Sequence, residues 1–211
     1  PPGRSLWNSS LMAAGVATMI VGAGAYDSLS RTRQDYYEAN RFAHVFADVT
    51  RAPKSLAADI AAIDGVAAVE TRIVKLALTD IEGMSEPGSA LVVSLPDYRE
   101  TSVDRVHLRL GRLPEPGAED EAAINEQFAE AHGFAPGSRF KVLMNGAERE
   151  IRVTGIVLSP EFVYALGPGD IMPDDRRFGV LWMSERTLAA AYDLEGAFSN
   201  VVLRLLPGAS V

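Results

Sequence analysis

The chain has 211 residues, enough for one domain with an appendage but short of two full domains. Hydrophobic residues make up 47% and charged residues 23%, which predicts a buried core and excludes collagen, coiled-coil and prion-like classes. With 28 acidic against 20 basic residues the net charge is -8, which argues against nucleic acid as a partner, and the lack of cysteine removes disulfides, thiolate metal sites and thiol catalysis while leaving the redox compartment open.

From Ser5 to Tyr26 no residue carries a charge. As a helix this stretch extends about 33 Å, enough for a hydrocarbon layer of roughly 30 Å. Its strong apolar residues are few, namely Leu6, Leu11, Met12, Val16, Met19, Ile20 and Val21. Insertion by itself is therefore marginal. The small residues Ala13, Ala14, Gly15, Ala17, Gly22, Ala23, Gly24 and Ala25 suit close approach to other membrane helices, so the stretch reads as a transmembrane helix over 1–27 packed in a bundle. Two other readings stay open: a signal peptide cleaved after Ala23-Gly24-Ala25, and a buried soluble helix, in which each glycine costs about 1 kcal/mol relative to alanine. Arg4 on one flank and Arg31 and Arg33 on the other leave the orientation undecided by charge.

Residues 28–40 contain no glycine or proline and extend the helix as a polar stalk, with an interfacial helix anchored by Tyr36 and Tyr37 as the competing reading. From Arg41 the pattern is that of an α+β domain. Phe42 to Thr50 reads as a strand. Ser55 opens a helix with Leu56, Ile60 and Ile63 on one face, closed by Gly65. Val66 to Thr79 reads as one long strand and Ser89 to Leu95 as another.

Gly111 to Gly117 marks a loop at a subdomain edge, and Glu115, Glu119, Asp120 and Glu121 read as a solvated acidic turn. Asn125 is placed to cap a helix that stops at Gly133. Asn145-Gly146 between Phe140–Met144 and Ala147–Leu158 predicts a type I′ hairpin with Ile151 and Val153 facing in, and Glu150, Arg152 and Thr154 facing out. Residues 159–177 form a loop longer than a structural connection needs, with Phe162, Tyr164, Met172, Asp174, Asp175, Arg176 and Arg177 as exposed residues. Val180–Met183 is a strand, Ser184 caps a helix through Tyr192, and Val201–Leu206 is a final strand. Residues 208–211 read as a linker, which the resemblance described below would lead toward a second membrane helix.

No Gly-x-x-x-x-Gly-Lys-Ser/Thr element occurs, and His44, His107 and His132 lack the spacing of a zinc helix. Ser138-Arg139-Phe140-Lys141 matches a Ser-x-x-Lys pattern without its companion motifs. Asp170, Asp174 and Asp175 lack the acidic spacing of an EF-hand loop and sit beside Arg176 and Arg177, so charge pairing is the simpler account. No catalytic residue, metal ligand or cofactor site is assigned.

Several segments together carry a family resemblance. They include Tyr36-Tyr37, Arg41-Phe42-Ala43 to Phe46-Ala47, Arg51-Ala52-Pro53, Gly65-Val66-Ala67 leading to Val69-Glu70-Thr71-Arg72, Val93-Ser94-Leu95-Pro96, Ser159-Pro160-Glu161-Phe162, Pro173 to Gly179 and Gly196-Ala197-Phe198. In order and content the chain resembles the first transmembrane helix plus extracytoplasmic core domain of ABC transporter permeases of the FtsX and MacB type. The resemblance implies a mixed α/β extracytoplasmic domain over 41–207 with a β-rich subdomain, held at the bacterial cytoplasmic (inner) membrane with the domain on the periplasmic side. It further implies no enzyme activity in this chain, a separate or fused ATPase subunit, a second permease subunit, membrane lipid, and an envelope cargo or partner protein. Phe162, Tyr164, Met172, Arg176, Arg177 and Phe178 are the candidate contacts to cargo or partner. The alternatives are a membrane-anchored extracytoplasmic sensor or binding module, and a secreted hydrolase.

Overall fold

The structure is a computed structural model that describes residues 3–209, with side chains described for 17–32 and 36–209. It divides into two units, residues 1–39 and 40–211. The first is one helix, α1 (Gly3–Ala39), unbroken for 37 residues. At 1.5 Å per residue it extends about 55 Å. Asp27 and Arg31, one turn apart, are joined by an ion pair of 2.6 Å. Met19, Ile20 and Val21 are exposed, whereas Leu6, Leu11, Met12 and Val16 lie outside the described side chains. Among the described residues no helix is long and apolar enough to cross a membrane.

The second unit is built on two sheets. In chain order its elements are β1 (Val45–Pro53), α2 (Leu56–Ala61), β2 (Val66–Arg72), β3 (Val74–Asp80), β4 (Gly88–Leu95), β5 (His107–Gly111), β6 (Glu121–Asn125), α3 (Glu126–His132), β7 (Arg139–Met144), β8 (Ala147–Leu158), β9 (Phe178–Ser184), α4 (Glu185–Ala191) and β10 (Ala197–Leu205). The smaller sheet has the order β1-β10-β2, with both pairings antiparallel. The last strand of the chain thus lies between two strands joined by α2, a split βαβ unit.

In the larger sheet the order is β5-β8-β6-β9-β4-β3-β7, and β7 also pairs with β8. That last pairing closes six of the strands into a barrel, leaving β5 on the outer half of β8. Closure removes the open edges that would otherwise template aggregation. The interior is apolar: Ala77, Ala90, Val92, Ile124, Phe140, Val142, Ile151, Val153 and Leu181 pack together with Phe128 of α3 and Leu188 of α4. A second apolar cluster comprises Val93, Ala123, Val157, Ala165, Phe178, Val180 and Trp182. It lies on the outer face, because the strand positions it uses alternate with those of the interior.

Several sequence expectations are met. The Asn145-Gly146 turn has positive φ at both residues, 47° and 81°, and joins β7 to β8 in the expected register, Phe140 opposite Ile151. Ser184 caps α4 by accepting from the Thr187 N–H, and Gly133 ends α3 in the left-handed conformation, φ 66°.

Others are corrected. The expected long strand from Val66 to Thr79 is two strands in two sheets, broken at Ile73, whose N–H turns aside to the Ser94 hydroxyl at 2.9 Å. Ile73 is fully buried, so no turn residue marks the break. The first strand runs on through Pro53 as an edge strand, where a missing N–H leaves no ladder bond unmade on the solvent side. The loop expected at Gly111 to Gly117 is present, and the acidic turn is corrected at its last residue, where Glu121 opens β6. Glu121 is buried, held by Arg112 at 2.6 and 2.7 Å and by Arg152 at 2.6 Å. These two guanidiniums keep its carboxyl below the usual carboxylate range. Thr154 is also buried, its hydroxyl directed at the Ala122 carbonyl.

Candidate partner-contact loop

Residues 159–177 join β8 to β9 and are fixed at both ends. At the first end Ser159 is buried, and its hydroxyl accepts from the Glu161 N–H at 3.3 Å. The Glu161 carboxylate in turn accepts two hydrogen bonds from Arg72 at 2.6 and 2.9 Å. Arg72 is the last residue of β2 and only 5% exposed. Its guanidinium also donates to Asn200 Oδ1 from Nε and Nη2, and Asn200 passes the network on to Asp48 at 2.7 Å. A planar fork with this many donors satisfies a carboxylate and an amide at once, which an ammonium could not do.

Beyond that anchor, Phe162 stands edge-on to Trp182, ring centroids 5.9 Å apart, and Ala165 enters the outer apolar cluster. At the far end Asp174 Oδ1 accepts from the Arg176 and Arg177 N–H groups at 3.1 and 3.2 Å, forming the turn that feeds β9. Between these anchors the apolar side chains point to solvent. Tyr164 is 79% exposed, Ile171 95% and Met172 76%, with Val163 and Leu166 also exposed. Large apolar groups held out of the core by an anchored loop are the usual make-up of a contact surface.

A cleft of about 520 Å³ opens beside the far end, lined by the Glu82–Glu86 turn, His132, Asp174, Arg176 and Arg177. Arg177 pairs with Glu86 across it. His132 Nε2 lies 2.9 Å from the Arg176 carbonyl, and its ring stacks on Phe134 at 5.2 Å, so it serves packing. The cleft offers both signs of charge.

The six candidate contacts divide by position. Tyr164, Met172, Arg176 and Arg177 are at the surface, while Phe162 is half-buried against Trp182. Phe178 requires correction: it is 4% exposed, the first residue of β9, opposite Ser89. The loop ends one residue before it, so its ring belongs to the outer cluster. Asp174 is engaged in its turn, and among the described residues no group of three or more His, Asp or Glu side chains is arranged to hold a metal ion. His44 accepts the Leu205 N–H at 3.0 Å, and the Ser138 hydroxyl accepts the Ala135 N–H at 3.0 Å, both structural uses.

Sequence reasoning passed over Ile171 and Leu166, although their lack of any periodic apolar partner in a proline-rich stretch was a usable signal. It also passed over the Arg72–Glu161 anchor and its neighbour Asp104. Asp104 is buried in a turn with φ 54°. Its Oδ1 accepts the Ala43 N–H at 2.8 Å, while Oδ2 has no hydrogen-bond partner and lies 3.9 Å from Arg72 Nη1. Burial pushes the Asp104 carboxyl up to about 6, the nearby Glu161 adding to the rise, and the Ala43 N–H and Arg72 opposing it.

No family model matches the chain, and no curated protein sequence matches it. Among solved structures the chain is similar to the extracellular domain of the noncanonic ABC-type transporter YknZ from Gram-positive bacteria, at 15% identity and a TM-score of 0.48, with 75% of each chain covered. It is also similar to the periplasmic region of MacB from Actinobacillus actinomycetemcomitans, at 13% identity and a TM-score of 0.43, covering 79% of this chain and 69% of the other.

Proposed function

We propose that the chain is the leading helix and extracytoplasmic domain of a permease subunit in an ABC export or mechanotransmission system. One observation carries this reading: the uncharged stretch Ser5 to Tyr26 lies in a helix that continues without a break to Ala39, and the β-rich domain starts at the next residue. An unbroken helix transmits displacement along its axis, whereas a flexible linker dissipates it. Because the strong apolar residues of the stretch are few, the reading calls for neighbouring membrane helices packed on its glycines and alanines.

In this role the chain hydrolyses nothing. An ABC ATPase subunit supplies the work, a second permease subunit completes the membrane assembly, and the main domain stands on the outer side of the cytoplasmic membrane. The loop 159–177 meets an envelope cargo or partner protein through Tyr164, Ile171 and Met172, with Arg176 and Arg177 at its rim. Aromatic, thioether and guanidinium groups are those enriched at protein contacts.

The test begins with the full-length protein extracted from cells. Recovery in the membrane fraction, and co-purification in detergent with a nucleotide-hydrolysing subunit, are the expected results. Recovery in the soluble fraction without detergent would overturn the reading.

A further inference from the structure

We infer that Asp104, Arg72 and Glu161 form a pH-gated latch, which holds the contact loop closed when Asp104 is protonated and loosens it when Asp104 ionises. The inference rests on the geometry within the domain and stands apart from the proposed transport role.

Two carboxylates, Glu161 and Asp104, face one buried cation. Arg72 is bonded to Glu161 in a two-pronged pair and, through Asn200, reaches Asp48. Asp104 Oδ2 faces the same guanidinium from 3.9 Å, outside hydrogen-bond range, and it is one of three buried side-chain polar atoms without a partner among the described residues. A buried ionised carboxylate oxygen with no donor is costly, and a protonated one much less so. With Arg72 donating to Glu161 and Asn200 and none of its N–H groups to Asp104, the arrangement suits a neutral Asp104. Once ionised, Asp104 competes for Arg72 and repels Glu161.

The charged groups that act on Asp104 are few. Arg72 faces it from β2 and lowers its carboxyl, while Glu161 faces it from the loop and raises it. In its own turn Arg105 is directed away, to the Thr101 carbonyl and Glu100. Arg41, in the segment that precedes β1, offers its backbone carbonyl to the Asp104 N–H at 3.1 Å. The same turn receives Ala43 N–H on Asp104 Oδ1 and gives Arg105 N–H to the Asn40 carbonyl at 2.9 Å. One carboxyl thus bonds the start of the domain at Ala43 and faces the cation that holds the loop.

The loop residue next to Glu161 provides the readout. Phe162 covers the edge of Trp182, which is 2% exposed. The chain has two tryptophans, Trp7 and Trp182. In the full chain carrying W7F, Trp182 reports loop opening through acrylamide quenching, and hydrogen exchange of residues 159–177, corrected for the intrinsic pH dependence of exchange, reports it independently.

Sign and size follow from linkage. A carboxyl raised to about 6 in the closed state favours that state at acid pH and loses the advantage as pH rises through about 6. Opening should increase on the order of tenfold between about pH 5 and pH 7.5, the change expected when a group shifted by roughly two units ionises across that window. Asp104→Asn keeps the oxygen that accepts from Ala43 and tolerates positive φ, so it should hold the loop closed at both pH values. Glu161→Gln should open it at both. Equal loop opening at pH 5 and 7.5 in the parent chain would overturn the latch, as would a pH dependence that survives Asp104→Asn. Should the Asn variant not fold, the parent pH profile and the Glu161→Gln chain decide the matter. None of these readouts requires transport, so their failure would leave the membrane assignment untouched.

Discussion

Asn125 sits at the N-cap of α3 yet gives its side chain to another element: Oδ1 accepts the Val180 N–H of β9 at 2.8 Å. The same residue ends β6, which pairs with β9 only through Ala123 and Ile124, so the side chain completes a pairing that the backbone leaves short. Asn125→Ala leaves a buried N–H without an acceptor, at a cost of about 1–3 kcal/mol. Chemical denaturation should show that loss, and Asn125→Asp, which retains the acceptor, should recover most of it.

Gly179 is required by packing. A Cβ built there would meet the Phe128 ring at 2.7 to 2.9 Å, and Phe128 is wholly buried among Phe134, Phe140 and His132. Gly179→Ala must displace α3 or strain the barrel, a cost of about 1–3 kcal/mol. Pairing it with Phe128→Leu should return part of the stability in a double-mutant cycle, a coupling that thermal unfolding would measure.

The buried Glu121 should make an acid-sensitive contribution to the stability of the barrel. Its carboxyl is held below the usual range by Arg112 first, with Arg152 and the Glu115 N–H assisting. A depressed carboxyl contributes stability that is present above its unfolded value and lost as pH falls through the folded one. Glu121→Gln should therefore lower stability at neutral pH by roughly 1–3 kcal/mol, discounted because Arg112 and Arg152 are partly solvated, and should flatten the acid limb of the stability profile.

Asp104 acts in the opposite sense. Raised to about 6 by burial, it stabilises the fold at acid pH and ceases to do so as pH rises from about 4 through 6. Asp104→Asn should raise the denaturation midpoint at pH 8 while leaving it near the parent value at pH 4. The difference between the two profiles, on the order of 2–3 kcal/mol, is measurable by denaturation across that range.

Under the proposed function, Tyr164 and Met172 serve contact more than stability. Both are exposed, so Tyr164→Ser with Met172→Ser should change stability by no more than about 0.5 kcal/mol. If the chain is the permease proposed, the double variant should reduce export in the intact assembly while the purified domain unfolds as before. Unchanged export would remove the loop from the contact surface. Phe162 and Phe178 are poor choices for this purpose, since truncating either one disturbs the cluster around Trp182.

A second functional expectation concerns α1. Two glycines inserted after Ser30 interrupt its run to Ala39. Export should fall relative to ATP hydrolysis in the intact assembly, and full retention of coupling would argue against an axial role for the helix.

The sequence by itself determined the local elements. The lack of glycine and proline from Tyr26 to Asn40 gave an unbroken helix, Asn145-Gly146 set the β7–β8 hairpin, and Ser184 and Gly133 bounded their helices, because each signal acts over one turn of chain. Tertiary structure alone decided what depends on distant partners. The division of 66–79 into strands of two sheets has no breaker residue and arises from where β10 and β4 pair. Glu121 reads as a solvated acid until Arg112 and Arg152 are brought to it, and Phe178 reads as a surface contact until β9 pairs with β4. Burial is a property of neighbours far along the chain, so the charge and hydropathy of a residue specify what it can do, and only the pairing of strands specifies whether water reaches it.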